Sequence, residues 1–211
     1  MPDAPLVSFT AMKDGTRADY LLLRELEGAF LAGIADRLLA TLAAQEHESY
    51  GGYRVSRFAH ALQCATRGWR EGADIDWVVA ALLHDIGDGL APLNHDVMAA
   101  AVLRPYVREQ VAWCVEHHGL FQMVYYAEHY GWDRDAREVH RASPYFDDCA
   151  DFCERWDQAA FDPGYPTNTL EHFEPMLREV FSRTPFDPAV VTPAATANTA
   201  PSTSTPQGTA P

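Results

Sequence analysis

Residues 78–85 read Val-Val-Ala-Ala-Leu-Leu-His-Asp, an uninterrupted apolar run that ends in a histidine and an aspartate. Asp76 precedes the run as a candidate N-cap and Gly87 follows it, so the stretch predicts a short buried helix. An aspartate directly after such a run is costly to bury unless it binds a cation or is fully hydrogen-bonded. His84 and Asp85 therefore mark a candidate metal site. The alternative is that Asp85 caps the turn that follows.

The remaining sequence predicts further helices, because apolar residues recur every three to four positions and β-branched runs are few. Thr16, with Asp19 three residues later, is a candidate N-cap for one long amphipathic helix over residues 16–44. We expect an all-α fold of about seven to eight helices, the others covering residues 56–71, 76–83, 94–103, 104–117, 121–130, 144–156 and 170–181.

The helical pattern divides the chain into one domain with two irregular ends. Residues 1–15 carry no periodic pattern, and residues 16–185 predict a single helical domain. Residues 186–211 are expected to form a disordered tail. From residue 192 onward this tail contains only Thr, Pro, Ala, Asn, Ser, Gln and Gly, so it has no large apolar side chain to offset the entropy of ordering.

Composition narrows the functional classes. The formal net charge of −14 argues against nucleic acid and anionic membranes as partners, because both would repel this surface. No stretch reaches about 18 uninterrupted apolar residues, so no transmembrane span is expected. The N-terminus lacks a charged region followed by an apolar one, and the four cysteines form no Cys-x-x-Cys pair. We therefore expect a cytoplasmic protein with reduced thiols.

Further histidines and one aspartate flank the central run at long intervals. His60 lies near the apolar face of its predicted helix, His95 begins a helix, and Asp157 follows a run of aromatic residues. Only one of His117 and His118 is expected to face the core, because neighbours on a helix project about 100° apart. Each signal alone is ordinary, and His60 could be a satisfied core histidine. Together they supply the imidazole and carboxylate ligands that suit iron and manganese.

The order of these residues resembles that of the HD-domain superfamily of metal-dependent phosphohydrolases and oxygenases. The matching elements are His60, then His84-Asp85, then Asp157, and the resemblance covers about residues 46–180. It implies a helical bundle around a buried dinuclear metal site in which Asp85 bridges two ions. It further implies two ligand sets, with His60, His84 and Asp157 holding one ion and His95 and His118 holding the other.

Within that superfamily the chain is most similar to the mixed-valent di-iron oxygenases that degrade phosphonates. Those enzymes carry a tyrosine ten residues before the first histidine, and Tyr50 occupies that place here. The resemblance implies that Tyr50 occupies an iron position and leaves when substrate enters, the alternative being a turn aromatic that packs on the domain. The similarity is carried by residues 60–65, 79–87, 111–118 and 146–157.

The chain also departs from the phosphonate enzymes. Asp88 stands where they have a further histidine, and Gln122 stands where they have a lysine that contacts the phosphonate. Glu154 replaces an arginine, although Arg155 is next to it, and a Ser/Thr-rich stretch is missing. Losing cations from an anion pocket in an acidic protein argues against a phosphonate substrate.

The sequence thus predicts an HD-domain metalloenzyme, with an oxygenase favoured over a hydrolase. The oxygenase would use two iron ions (Fe²⁺/Fe³⁺, with Mn²⁺ as the alternative) and dioxygen to cleave a small hydroxy- or amino-bearing substrate. The hydrolase would act on a nucleotide or phosphomonoester. A metal-stabilised binding or sensor domain is a third hypothesis. The expected catalytic residues are Asp85 and Tyr50, and the expected pocket residues are Tyr53, Gln122, Tyr125, Tyr126 and Arg155.

Overall fold

The computed structural model describes residues 5–47 and 51–192, which contain ten α-helices and no β-strand. The all-α prediction is therefore confirmed, with more and shorter helices than the seven to eight expected. Three 3₁₀ turns, Met12–Asp14, Met123–Tyr125 and Ala136–His140, and one π-helical turn, Cys153–Asp157, connect them. The helices are α1 (Arg17–Ala32), α2 (Ile34–Ala44), α3 (Arg57–Arg70), α4 (Ile75–Leu83), α5 (His95–Leu103), α6 (Glu109–Gln122), α7 (Ala127–Tyr130), α8 (Phe146–Phe152), α9 (Leu170–Phe181) and α10 (Pro188–Val191).

The helix α4 lies at the centre of the bundle. All six apolar residues of its run, 78–83, are buried, and the helix packs against α3, α6 and α9. α5 and α8 pack on α6 from outside, which makes the core one continuous apolar cluster. Because α4 ends at Leu83, the next two residues, His84 and Asp85, emerge in the middle of this core.

The prediction of one long helix over residues 16–44 is wrong, because the helix is interrupted at Gly33 and forms two helices, α1 and α2. Its start is confirmed: Thr16 and Asp19 form a reciprocal capping box, with N···O distances of 3.3 and 2.8 Å. Glycine has a low helix propensity, and at the break the Phe30 carbonyl accepts from the Gly33 amide (3.2 Å) and from the guanidinium of Arg37 (2.8 Å).

The two halves of that predicted helix differ in burial. Leu38 and Leu42 of α2 are buried, whereas Leu23 and Phe30 of α1 are 38% and 63% exposed. Asp19 is the single buried residue of α1. The amphipathic pattern of residues 16–44 therefore describes the core-facing side of α2 but not that of α1.

The predicted end of α6 and the predicted helix after it are both corrected. α6 was expected to end before Gly119, but it continues to Gln122, and the helix predicted over residues 121–130 becomes a 3₁₀ turn followed by the short α7. Gly119 remains inside α6, where a side chain would meet the Asp96 carboxylate of α5 at 3.2 Å. This glycine therefore serves the close approach of α5 rather than the end of α6.

The C-terminal part of the chain is only partly described. The helix predicted from 144 to 156 is split into α8 and the π turn, and the last predicted helix, 170–181, is confirmed as α9. Within the predicted tail, Asp187 caps the short α10 through the Ala189 amide (2.9 Å). Residues 193–211 lie outside the described ranges. No helix in the described ranges is both long enough and apolar enough to cross a bilayer.

The N-cap of α4 is Asp74 rather than the predicted Asp76. Asp74 Oδ1 accepts from the amides of Asp76 (3.1 Å) and Trp77 (3.3 Å). Asp76 is instead buried and binds two guanidinium groups, Arg108 Nη1 at 3.2 Å and Arg183 Nη1 at 2.7 Å. It therefore ties the start of α4 to the segments before α6 and after α9.

Replacing Asp76 with alanine is expected to lower the free energy of unfolding by about 3–5 kcal/mol, because two cations would lose their buried counter-ion. Asp74→Ala is the comparison variant and is expected to cost about 1–2 kcal/mol, because it removes the cap and an exposed ion pair with Arg108 (2.7 Å). Urea denaturation of both variants measures the difference. Equal losses in the two variants would contradict the assignment.

Candidate metal centre

Five segments of the bundle bring histidines and aspartates to one point. α3 supplies a histidine from its buried face, the end of α4 supplies two adjacent residues, and α5 and α6 supply one histidine each. The π turn after α8 supplies an aspartate at its last position, where the wider turn changes the direction of the side chain. The resulting group consists of His60, His84, Asp85, His95, His118 and Asp157. All are buried except His95, whose side chain is 24% exposed.

The innermost part of this group contains His60, His84 and Asp157. The Nε2 atoms of the two histidines are 3.1 Å apart, and they lie 3.2 and 3.4 Å from Asp157 Oδ1. One ligand atom from each residue therefore lies within the reach of a single ion. Two imidazoles and one carboxylate are a donor set that divalent iron and manganese accept.

Hydrogen bonds to the backbone fix the orientation of three rings. In each, Nδ1 faces a carbonyl oxygen, which can only accept, so Nδ1 carries the proton in the neutral ring. Nε2 then presents a lone pair to the cavity, as in metal-binding histidines that are oriented by their second nitrogen. The three contacts are His60 to Ala160 (3.1 Å), His84 to Ala81 (2.9 Å) and His118 to Val115 (2.7 Å).

The inner site fits a cation on two independent grounds. In the neutral rings the Nε2 lone pairs of His60 and His84 would face each other at 3.1 Å, and neither carboxylate oxygen of the fully buried Asp157 accepts a hydrogen bond. Both situations are unfavourable, and a cation among these atoms relieves both. The electrostatic field of the site also favours a positive charge. Burial alone would lower the pKa of His84, but the negative charges of Asp85 and Asp157 raise it to about 9.

Asp85 stands between two sets of histidines. Its Oδ2 lies 3.4 Å from the Nε2 atoms of both His60 and His84, whereas its Oδ1 lies 3.2 Å from His118 Nε2 and 3.3 Å from His95 Nε2. Burial opposes ionisation of this carboxyl, but the neighbouring imidazoles hold its pKa well below the usual range. The carboxylate is therefore charged, and each of its oxygens faces a different pair of imidazoles.

Two residues of the site were not predicted from the sequence. Arg57 lies with its Nη1 3.0 Å from Asp85 Oδ2 and its Nε 2.6 Å from Asp88 Oδ2. Asp88 also approaches His95 Nδ1 (3.4 Å), so Asp85, Asp88 and His95 form a further group able to hold an ion. Burial and the Asp85 charge raise the pKa of Asp88.

The sequence contains features that could have indicated both Arg57 and Asp88 as residues of the site. Arg57 is three positions before His60 on α3, and residues three apart share a helix face. Asp88 appeared only as a departure from the histidine expected at its position, although a carboxylate is also a metal ligand.

The predicted pocket residues lie mostly together. Tyr53, Gln122, Tyr125 and Tyr126 line one cavity of about 490 Å³, along with Tyr130, Trp132, Gln158 and Phe161. We call this cavity the aromatic pocket. The Phe161 ring stacks on Tyr53 (centroids 5.1 Å apart) and on His60 (4.4 Å), so one wall of the aromatic pocket is in contact with a ring of the metal centre.

Arg155 and His117 do not join this arrangement. Arg155 pairs with Glu71 (2.5 Å) and is half exposed beside a small pocket that shares no residue with the aromatic pocket. His117 stacks on Trp113 (4.1 Å) and binds its carbonyl, which leaves His118 as the histidine that faces Asp85. Tyr50 lies outside the described residues.

The adjacent histidines allow a direct test of this geometry. Replacing His118 with alanine is expected to weaken Mn²⁺ binding at least about 100-fold, because it removes a ligand rather than a supporting contact. His117→Ala is the matched control and is expected to leave the affinity within about twofold. Isothermal titration with Mn²⁺ measures both, and equal losses would contradict the placement of His118 in the site.

Comparison with known proteins identifies the family of this chain. The model of the HD domain family matches residues 37–144, and no curated protein resembles the chain closely enough in sequence to be matched to it. Asp157 lies beyond the matched residues, but the fold brings it to within 3.2 Å of His60. Because the matched stretch is more than half of the chain and carries His60, His84 and Asp85, the chain belongs to the HD domain family.

Proposed function

We propose that the protein is an enzyme with a dinuclear metal centre bridged by Asp85. The observation that carries this proposal is that the two oxygens of one carboxylate face different histidines. Oδ2 of Asp85 faces His60 and His84, and Oδ1 faces His118 and His95. Asp157 would complete the ligands of the first ion, and His95 and His118 would hold the second. Iron is the favoured metal and manganese the alternative, because both accept imidazole and carboxylate.

The chemistry of the bound ions would be Lewis-acid activation and, with iron, redox chemistry on dioxygen. The protein's own contribution is orientation and charge. The carbonyls of Ala81, Val115 and Ala160 hold three Nε2 atoms toward the cavity, and Asp85 would supply a negative charge to both ions. The buried position of these groups strengthens each interaction by excluding water.

We favour an oxygenase that acts on a small organic molecule carrying a hydroxyl or amino group. The support comes from the aromatic pocket, because the described residues that line it are aromatic or carboxamide side chains and include no lysine or arginine. A phosphate or phosphonate group is normally bound by cations, and the surrounding protein carries a net charge of −14. A neutral or cationic substrate suits this pocket better.

Polar groups in the aromatic pocket can orient such a substrate. Gln122 is four residues after His118 on α6, so its carboxamide lies on the same helix face one turn from the metal centre. Burial raises the pKa of Tyr125 to about 12, so its hydroxyl stays protonated and can donate a hydrogen bond. We propose that Gln122 and Tyr53 contact the substrate, and that Phe161 keeps water away from His60.

Phosphohydrolysis is the second candidate, and one specific observation favours it. The guanidinium of Arg57 lies 3.0 Å from Asp85 and 2.6 Å from Asp88, so a cation is already present beside the proposed bridging ligand. Such a group could neutralise a phosphate ester held at the two ions. The ligands of the ions are the same in both reactions.

The four cysteines are relevant to the cellular compartment of the protein. Cys64, Cys114, Cys149 and Cys153 are all buried free thiols, and burial raises the pKa of each. Reduced thiols are typical of proteins in a reducing compartment, so we propose a cytoplasmic location.

The reaction class is tested on protein loaded anaerobically with iron and then exposed to air. The oxygenase predicts a mixed-valence electron paramagnetic resonance signal and no phosphate release from a panel of nucleotides and phosphomonoesters. Phosphate release without that signal would identify a hydrolase instead.

Metal stoichiometry tests the bridge itself. Wild-type protein is expected to hold two ions per chain, Asp85→Ala none, and His95→Ala one, as measured by elemental analysis after gel filtration. His117→Ala should retain both ions. Two ions in Asp85→Ala would contradict the proposed role of Asp85, whichever reaction the enzyme catalyses.

The described lining of the aromatic pocket carries no charged side chain, and this leads to a separate prediction. Gln122→Lys places a cation in the pocket, so the variant is expected to bind methylphosphonate at least about tenfold more tightly than the wild type, by isothermal titration. Gln110→Lys, outside the pocket, is the control for added charge. Equally tight binding by the wild-type protein would show that the pocket already accepts anions.

A further inference from the structure

One imidazole of the metal centre differs from the other three in what its second nitrogen faces. The rings of His60, His84 and His118 each turn Nδ1 toward a backbone carbonyl. Nδ1 of His95 is buried too, but none of the described residues forms a hydrogen bond with it. The group that it faces is the buried carboxylate of Asp88, whose Oδ1 lies 3.4 Å away. A carboxylate therefore stands where the other three rings have a carbonyl.

The backbone holds Asp88 at this point. In the turn after α4 the Asp88 amide donates to the Asp85 carbonyl (3.1 Å). Gly87 lies where this turn approaches α5 most closely: an added Cβ would be 2.8 Å from the His95 carbonyl oxygen and 3.0 Å from the His95 Cα. A side chain at position 87 would push α5 away, because these are backbone atoms. The turn therefore brings Asp88 against the first residue of α5.

Asp88 also connects His95 to Asp85 through Arg57. Oδ2 of Asp88 lies 2.6 Å from Arg57 Nε, and Arg57 Nη1 lies 3.0 Å from Asp85 Oδ2. His95 Nε2 lies 3.3 Å from the other oxygen of Asp85. The four side chains thus form a closed ring in which carboxylates alternate with nitrogen groups. A guanidinium can only donate, so Oδ2 of Asp88 acts as an acceptor and carries no proton.

We propose that Asp88 is a positioning residue for His95, an inference that rests on the proposed dinuclear centre. Oδ1 of Asp88 accepts a hydrogen bond from the Nδ1–H group of His95 and so takes the place of the backbone carbonyl. The proton on Nδ1 leaves the Nε2 lone pair to bind the second ion. A carboxylate behind a ligating imidazole also makes the ring a stronger base, which strengthens its bond to a metal.

Asp88 could also act as a ligand itself, because Asp85, Asp88 and His95 lie close enough to hold an ion. An ion between Oδ1 of Asp88 and Nδ1 of His95 would place the proton of the neutral ring on Nε2. His95 could then no longer bind an ion beside Asp85 Oδ1, which its Nε2 faces. The two roles therefore predict opposite protonation of the ring.

The state of the His95 ring in the full chain loaded with Zn²⁺ tests the proposal. Zn²⁺ is the probe because it is diamagnetic and binds imidazole nitrogen. Proton–nitrogen correlation spectra of protein with isotope-labelled histidine are expected to show Nε2 bound to Zn²⁺ and Nδ1 protonated, with His95→Ala giving the assignment. A His95 ring bound through Nδ1, or not bound at all, would overturn the proposal.

A double-mutant cycle shows whether Asp88 acts through His95. In titrations with Mn²⁺, Asp88→Ala is expected to weaken binding of the second ion about 10–100-fold and to leave the first within about twofold. In the His95→Ala background the same change is expected to alter the residual second-site affinity by less than about twofold. Asp96→Ala removes the carboxylate next to His95 on α5 and is the control, with affinities expected to match the wild type.

The outcomes separate this proposal from the dinuclear centre itself. If the wild type holds two ions, an unchanged second-site affinity in Asp88→Ala overturns the role of Asp88 alone. A further loss of affinity in the double variant does the same, because Asp88 would then act independently of His95. A wild type that holds fewer than two ions would overturn both proposals.

Discussion

A buried carboxylate sets the main constraint on this structure. Asp85 is 5% exposed and ionised at the meeting point of the helices, and a charge in that position is stable only when cations or polarised donors surround it. Four Nε2 atoms lie within 3.4 Å of its oxygens, and one guanidinium approaches at 3.0 Å. These groups come from α3, α5, α6 and the end of α4, so compensating this one charge ties four segments of the bundle together.

The apolar helix α4 explains how that charge is carried into the core. Its residues 78–83 are buried on all sides, so the two residues that follow have no route to solvent. Three of the four histidines around Asp85 are held by backbone carbonyls, which fix the tautomer without adding another charge, whereas His95 Nδ1 faces Asp88 (3.4 Å). The π turn at Cys153–Asp157 has a related effect, because it turns Asp157 toward His60 while Arg155, two residues earlier, points to Glu71 at the surface.

The all-α fold could be predicted from helical periodicity, and the group around Asp85 from the local context of a few residues together with the resemblance to the HD-domain superfamily. His84 and Asp85 end an apolar run, and Asp157 follows aromatic core residues. The break at Gly33, the direction of Arg155 and the pairing of Arg57 with Asp88 could not be predicted in this way. Each depends on contacts between residues that are distant in sequence or on a local change of helix type, and periodicity carries no information about either.

The same reasoning explains why the ligands alone do not decide the reaction. Imidazoles and carboxylates around two ions serve both hydrolysis and oxygen chemistry, so the difference must come from the groups that meet the substrate. Arg57 is one such group: its charge is shared between Asp85 and Asp88, and its guanidinium also lies over the Tyr53 ring, 5.0 Å from the ring centroid. Phe161 joins His60 to the aromatic pocket, whose described lining residues carry no cation of their own. An anionic substrate would have to compete with Asp85 and Asp88 for one guanidinium, whereas a neutral or cationic one would not, and this asymmetry favours the oxygenase.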